Sequence, residues 1–452
     1  MVALQLLVLP ATLLQLAAPP QAGRRAAPPF SWDTLPVFIH VGNNSGPFNE
    51  AAIDILAKFA MVTLDKWQGP CGQRLDATPA CDEEGTMLAE ARRIKRANPN
   101  VSTLLYWNSI LDFPQYNLHA GMLARPELML TDRRTGDIVR LDGGGHTGMD
   151  VFDFADPAAR AYFMSDCVNA TLSGVVDGCY MDRATGVSPV VNLSIAQAQE
   201  YEAGHITMLS DLQAILGDGP VVGNGAYGPP HDQAAIAFAM LEEFSPVRVG
   251  GKGNLTDLFM GVRNGRGMQV HTMTAPTENI IAAFLIGAGP RCYFGFGSWS
   301  TVYDDLSHRW SPLFDLPLGP PLGDAVMDEA SGTYRRQFAH GVNVSFDMKT
   351  GQGNVAGWTF PPPPPPPPLP PAPPAPHCCA AETGCLYSGG NIDTPRTPLH
   401  STAECCANCG ADHACKFWSF SVASKMCKLH TASATKHHDG PGTPVRVCGT
   451  GC

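Results

Sequence analysis

Val176-Asp177-Gly178-Cys179-Tyr180-Met181-Asp182-Arg183 is the stretch on which the fold turns. It reads as a short apolar strand entered through an Asp-Gly turn and closed by a carboxylate. Side chains alternate along a strand, so Tyr180 and Asp182 share one face while Cys179 takes the other, toward covering helices. A carboxylate at the C-terminal end of a strand sits where (β/α)8 barrels keep their chemistry.

Working outward, short β-branched or aromatic runs alternate with longer amphipathic ones. The strand candidates are Val37–Val41, Met61–Trp67, Ser102–Trp107, Gly178–Asp182, Val221–Asn224, Ala239–Phe244, Met268–Met273 and Cys292–Phe296. Helices fit between them at Glu50–Phe59, Gly85–Ala97, Pro157–Leu172, Ile195–Leu216, His231–Phe238, Asn254–Val262 and Thr277–Gly287. Alternating β and α predicts an α/β fold with a parallel sheet, and eight strands predict a closed TIM barrel. A doubly wound open sheet is the alternative; no Gly-X-Gly-X-X-Gly follows the first strand to support it. The long insertion Ile110–Asp150, with Gly143-Gly144-Gly145, falls on the catalytic side and reads as a loop with a flexible hairpin rather than a phosphate cradle.

The strand ends gather polar and aromatic residues: His40 to Asn43, Asp65-Lys66-Trp67, Trp107-Asn108, Asp182-Arg183, Asn224, Glu242-Glu243, His271, and Gly297 with Trp299. Carboxylates, amides, a histidine and tryptophans on one rim are what a sugar site needs, and two carboxyl groups can cleave a glycosidic bond. Each residue also has a structural reading. Asp182 beside Arg183 makes an ion pair, and Asp65 with Lys66 makes a rim pair. Trp67 and Trp107 fit a core, Asn108 and Asn224 anchor loops, and His271 is a buried hydrogen-bonded histidine. Glu242 and Glu243 point to opposite faces, so only one of them enters the site, and Glu242 is the preferred one. No His, Cys and carboxylate cluster has metal-ligand spacing, so neither a metal nor another cofactor is expected.

Residues from about Phe30 to Phe360 resemble a glycosyl-hydrolase-like TIM-barrel family, family fifteen of that class. The blocks that carry the resemblance are Val62–Gln68, Leu105-Tyr106-Trp107-Asn108, Phe152–Pro157, Asp177–Asp182, Val222-Gly223-Asn224-Gly225 and Met240-Leu241-Glu242-Glu243-Phe244. The resemblance implies a hydrolase-like barrel whose carboxylate pair falls on Asp182 and Glu242. Asp65, Lys66, Trp67, Trp107, Asn108, Arg183, Asn224, Glu243 and His271 are the expected substrate contacts.

Phe360 is followed by an almost pure proline stretch, 361–376. At ~3.1 Å per residue it forms a spacer on the order of 50 Å. Residues 377–452 hold ten of the fifteen cysteines, the density of a disulfide-held domain in an oxidising compartment. The run Cys405-X3-Cys409-X5-Cys415, Phe417-Trp418-Ser419-Phe420 and Cys427-Lys428-Leu429 resembles a PAN/apple domain. That resemblance implies the bridges Cys405–Cys427, Cys409–Cys415 and Cys385–Cys448, and a module that binds carbohydrate or protein. In the barrel, Cys71 and Cys81 flank one loop and are the easiest pair to bridge. Cys167, Cys179 and Cys292 leave an odd count.

Residues 1–22 are apolar, lack Asp, Glu, Lys and Arg, and read as a secretory signal peptide. Six Asn-X-Ser/Thr sequons, at Asn43, Asn100, Asn169, Asn192, Asn254 and Asn343, agree with secretion and glycosylation. A net charge of -11 argues against a nucleic-acid partner. The expectation is a secreted glycoside hydrolase acting on a polysaccharide or glycan, with an appended adhesive module and no membrane span after leader removal. A non-catalytic carbohydrate-binding or matrix protein on a degenerate barrel is the alternative, and a transferase on the same carboxylates ranks third.

Overall fold

The computed structural model describes residues 28, 30–69, 82–143, 146–185, 192–247, 253–298, 306–359, 381–389, 391–392, 401–438 and 446–450. The leader (1–22), the proline stretch (361–376), the Cys71 and Cys81 pair, Gly144, Gly145 and Trp299 lie outside them. The described residues fall into two compact units, one before Pro361 and one after Pro362.

Eight parallel strands form the first unit: β1 (Phe38–Val41), β2 (Met61–Leu64), β3 (Ser102–Asn108), β4 (Gly178–Asp182), β5 (Val221–Asn224), β6 (Phe238–Leu241), β7 (Gly267–Thr272) and β8 (Cys292–Phe296). Each pairs with the next in sequence. A parallel bridge from Val37 to Phe294 brings the last strand back to the first, giving a nearly closed eight-strand barrel. Runs such as Met-Val-Thr-Leu in β2 are buried on both faces, as barrel strands covered by helices must be.

The helices of this unit are α1 (Glu50–Leu56), α2 (Glu83–Ala97), α3 (Asn117–Leu123), α4 (Pro157–Leu172), α5 (Ile195–Leu216), α6 (Leu255–Arg263) and α7 (Glu278–Gly287). Six of these seven helices start at a residue whose side chain caps them; α3, after Tyr116, does not. Asp156 caps α4 ahead of Pro157, and Asn254 with Asp257 forms a capping box on α6.

The Asp-Gly entry to β4 is a clamp more than a turn. Asp177 Oδ2 accepts the Thr103 amide at 2.8 Å and pairs with Lys95 of α2. Gly178 packs so tightly on Pro220 that a Cβ there would come within 2.1 Å of the carbonyl oxygen. At the next position, Cys179 turns outward and is bridged to Cys167 of α4, a pair that sequence spacing left open. Cys292 remains a buried free thiol, pushed up to about 11 by burial.

Four features depart from expectation. The helix expected at His231–Phe238 is only a 3-10 turn, His231–Gln233, with β6 starting at Phe238. Arg266 explains it: its guanidinium donates to the carbonyls of Ala226, His231, Asp232 and Ala234, and the last three are oxygens that the helix would have used for itself. The insertion after β3 is not merely loop, since it holds α3 and an antiparallel hairpin, Arg140–Gly143 with His146–Asp150. After the barrel comes an unanticipated antiparallel sheet: Val326–Asp328, Thr333–Gln337, Asn343–Asp347 and Gly353–Ala356. Glu278 and Asn279 of α7 accept the amides of Val355 and Gly353, fastening that sheet to the barrel. Finally, Asn43 is buried, and its side-chain amide donates to Pro47 O at 3.2 Å. That leaves no room for a glycan there, a correction to the sequon reading.

In the second unit a five-stranded sheet packs on helix α8 (Thr402–Ala411). Disulfides join Cys405 to Cys427, Cys409 to Cys415 and Cys385 to Cys448. Cys405, Cys409 and Cys415 share a small core with Trp418, Phe420 and Leu429. A domain with so little apolar area needs such bridges.

Candidate active site

A cavity of about 690 Å³ opens at the C-terminal ends of the strands, within the ~300–1,000 Å³ of small-molecule sites. Parallel register builds its floor: Tyr106 lies beside Tyr180, and Asn108 beside Asp182. Alternation then sends Tyr106, Tyr180 and Asp182 inward.

Asp182 takes four donors. Arg183 N and Asn224 Nδ2 reach Oδ1, each at 2.9 Å; Tyr106 Oη reaches Oδ2 at 2.6 Å and Asn108 Nδ2 at 3.4 Å. Burial and the neighbouring Asp182 carboxylate push the Tyr106 phenol well above its usual range, so it keeps its proton and donates. Asn224 Nδ2 also donates to Glu242 Oε2 at 3.1 Å. The sum of the two Asn224 distances caps the separation of the accepting oxygens at 6.0 Å. With the amide's two hydrogens ~120° apart, the separation is about 5 Å.

The residues after both carboxylates, Arg183 (φ 55) and Glu243 (φ 52), hold the left-handed conformation that non-glycine residues avoid. The chain turns sharply there, presenting Asp182 and Glu242 at the rim. Strain of this kind concentrates at functional sites.

On the opposite wall Asp65 is paired with His40 (3.3 Å) and Lys66 (3.4 Å). Burial alone would raise its carboxyl, but Lys66 and His40 together hold it down at about 2. Lys66 also lies over the Tyr106 ring, 4.2 Å from its centroid, a cation–π contact. Asp65 is thus a fixed anion. Among the described residues no three His, Cys, Asp or Glu side chains gather in a way that would hold a metal ion.

The family model for hypothetical glycosyl hydrolase family 15 matches residues 95–342. The chain belongs to that family. The match takes in β3 to β8, and so Asp182, Asn224 and Glu242, but not the strands that supply His40 and Asp65. Among solved structures the chain is similar to an α-galactosidase from Thermus thermophilus bound to p-nitrophenyl α-D-galactopyranoside, at 14% identity and TM-score 0.44 over 73% of this chain and 68% of that one. It is also similar to the glycoside hydrolase domain of PelA from Pseudomonas aeruginosa, at 12% identity and TM-score 0.37 over 60% of this chain and 96% of that one. An α-N-acetylgalactosaminidase from Bifidobacterium bifidum gives 13% identity and TM-score 0.43 over 71% and 57%. No curated protein matches the sequence.

Of the residues expected in this family-15 site, Asp65, Lys66, Asp182, Arg183, Asn224 and Glu242 line the cavity. Five others do not. Trp107 turns outward and is buried against Tyr116 and Phe163, because alternation cannot put it on the same face as Asn108. Trp67 is half-buried away from the wall, and Glu243 is turned off it by its left-handed backbone. His271 is buried within β7. Asn108 acts through Asp182 and through the amides of Ile110 and Leu111, which its Oδ1 accepts at 3.0 and 2.9 Å. Among the described residues the cavity is lined by tyrosines, Tyr106, Tyr180 and Tyr227, and by no tryptophan. His231 also lines the cavity; it sits in the 3-10 turn whose sequence reads as helix, and no local signal marks it.

Proposed function

We propose that the barrel hydrolyses glycosidic bonds with retention of configuration, with Asp182 as nucleophile and Glu242 as acid/base. The observation that carries this reading is the Asn224 amide, which bonds both carboxylates on the cavity wall and so keeps the accepting oxygens within 6.0 Å of each other. Carboxyl groups ~5–5.5 Å apart suit a double displacement, whereas inversion needs ~6.5–9.5 Å to admit water. Asp182 Oδ1 attacks the anomeric carbon while Glu242 gives its proton to the departing oxygen. Glu242, now a base, takes a proton from water; the water oxygen bonds the anomeric carbon and the Asp182 ester bond breaks. Tyr106 and Asn224 fix the nucleophile's two oxygens, and the tyrosine faces supply apolar area for a sugar ring.

The apolar first 22 residues, the sequons that remain open to solvent and the disulfide-rich tail support a secreted protein. The cysteine pattern of residues 377–452 supports a PAN/apple-like module that binds carbohydrate or protein beyond the proline spacer.

The test is turnover of aryl glycosides and polysaccharides by the full chain and by Asp182→Asn and Glu242→Gln. Each substitution is expected to lower kcat roughly 10²–10⁴-fold. Product taken early by NMR should keep the substrate's anomeric configuration. Undiminished turnover in either variant, or inverted product, would overturn the assignment. Tight glycan binding without turnover would instead favour a binding protein on a hydrolase barrel.

A further inference from the structure

We infer that His231 is a sugar-binding residue locked in one tautomer, its Nδ1 an obligate hydrogen-bond acceptor in the cavity. The inference rests on the reading that this cavity takes a sugar. It begins at the main-chain carbonyl of Asp182, which accepts both the Ser109 amide (2.9 Å) and the Ser109 hydroxyl (2.6 Å). A carbonyl has no proton to give, so the single hydroxyl proton is committed to it. His205 Nε2, 3.0 Å from Ser109 Oγ, must therefore bring its own proton.

His205 is completely buried, stacked on Phe154 at 5.4 Å. Burial and the neighbouring His231 push its pKa well below the usual range, so the ring is neutral with one N–H. That proton is on Nε2, which leaves Nδ1 a lone pair facing His231 Nε2 at 3.1 Å. His231 must donate there. Burial, with Arg266 nearby, lowers His231 to about 4, so it too has a single proton at neutral pH, on Nε2. The proton count along Asp182 C=O, Ser109, His205 and His231 closes in only one way.

What remains is His231 Nδ1. His231 lines the same cavity as Asp182, Asn224 and Glu242, and among the described residues no donor meets Nδ1. A lone pair in that position accepts from a hydroxyl or an N–H. It gives nothing to an ether oxygen or a deoxy carbon, and it repels a carboxylate. The structure thus assigns one subsite to a hydroxyl or acetamido donor and sets it against a uronic-acid carboxylate at that position. Sequence adjacency does not reveal this, because the three side chains come from β3's end, α5 and the β5–β6 loop.

The direct test is ¹⁵N NMR of the imidazoles in the full chain, between pH 8 and 5. His231 and His205 should both show a bare Nδ1 and a protonated Nε2, and a bound methyl glycoside should shift the His231 Nδ1 signal. A protonated His231 Nδ1 overturns the inference even where hydrolysis stands. Absence of hydrolysis by the wild type sinks the enzymatic reading and leaves the tautomer result intact. A second arm uses two variants on an aryl glycoside. His231→Gln keeps a donor near the Nε2 position for His205 but lacks the acceptor. It should raise KM roughly tenfold with kcat and Tm nearly unchanged. His231→Asn places an oxygen near Nδ1 but cannot reach His205, so it should lower Tm and raise KM less than His231→Gln does. Equal KM in wild type and His231→Gln refutes the subsite; if His231→Gln folds poorly, the NMR arm decides.

Discussion

Replacing Asn224 by aspartate tests the centre of the proposed site with almost no change of shape. The native amide nitrogen donates to Asp182 at 2.9 Å and to Glu242 at 3.1 Å. In Asn224→Asp an oxygen takes its place and faces two acceptors. Two unit charges 3 Å apart repel by about 5 kcal/mol at an effective dielectric of ~20. The cavity is open to water, and screening at a dielectric of ~50 cuts each contact to about 2 kcal/mol. The added charge is relieved where the cluster of three carboxyl groups takes up a proton. At neutral pH kcat/KM should fall roughly 10²–10³-fold, the equivalent of about 3–4 kcal/mol, with part of the loss recovered as the pH is lowered. Asn224→Ala is the control. It removes two bonds to charged groups without adding charge, so its loss should be smaller and should lack the acid-side recovery. The assay is the pH–rate profile of each variant on the best wild-type substrate, with circular dichroism to show that the fold persists. An Asn224→Asp protein within threefold of wild type across that range would refute the bridging role.

Three further outcomes follow from buried groups away from the reacting atoms. Glu83, wholly buried at the start of α2, is pushed up to about 10, first by burial and then by the nearby Asp65 charge. A carboxyl raised in the folded state makes stability fall as pH rises from the unfolded value of 4.5 toward 10, a penalty of about 3 kcal/mol at pH 7; Glu83→Gln should therefore raise Tm by several degrees at pH 7–8 and leave it unchanged near pH 4. Asp65 has the opposite sign: lowered from 3.8 to about 2, it contributes about 2 kcal/mol above pH 4 that is lost as the pH falls toward 2, so the urea midpoint of Asp65→Asn should lie below wild type at pH 7 and converge with it near pH 2. Removing the Cys167–Cys179 bridge, which closes a loop 12 residues apart, in the Cys167→Ala/Cys179→Ala protein should cost about 3 kcal/mol of stability and leave kcat near wild type, as β4 turns that side chain away from the cavity.

The eight strands were legible because each is a short buried β-branched or aromatic run set between longer amphipathic ones, with polar residues at or near its end. The same rule located Asp182, Asn224 and Glu242, since each stands at or just past the end of its strand. Alternation along β3 would have exchanged Trp107 for Tyr106: Asn108 points inward, so Trp107 cannot, and the residue two before Asn108 must. What stayed hidden depends on partners distant in sequence. Arg266 strips the carbonyls of residues 226–234, about 35 positions away, and thereby turns an amphipathic-looking segment into a loop that carries His231 to the cavity. The last strand of the 326–356 sheet is fastened by Glu278 and Asn279 of α7, which accept its amides, and nothing in Gly-Asn-Val-Ala announces that edge. The two kinds of residue divide by chemistry as well as by legibility. Strand-end carboxylates are placed by local geometry and carry the proposed bond cleavage. Asn224, which holds them, is placed by the same rule, whereas the proposed sugar contact at His231 is set by hydrogen bonds between distant elements. Specificity in this family should accordingly vary through the loops after β5 and β3 while the Asp182–Asn224–Glu242 frame stays fixed.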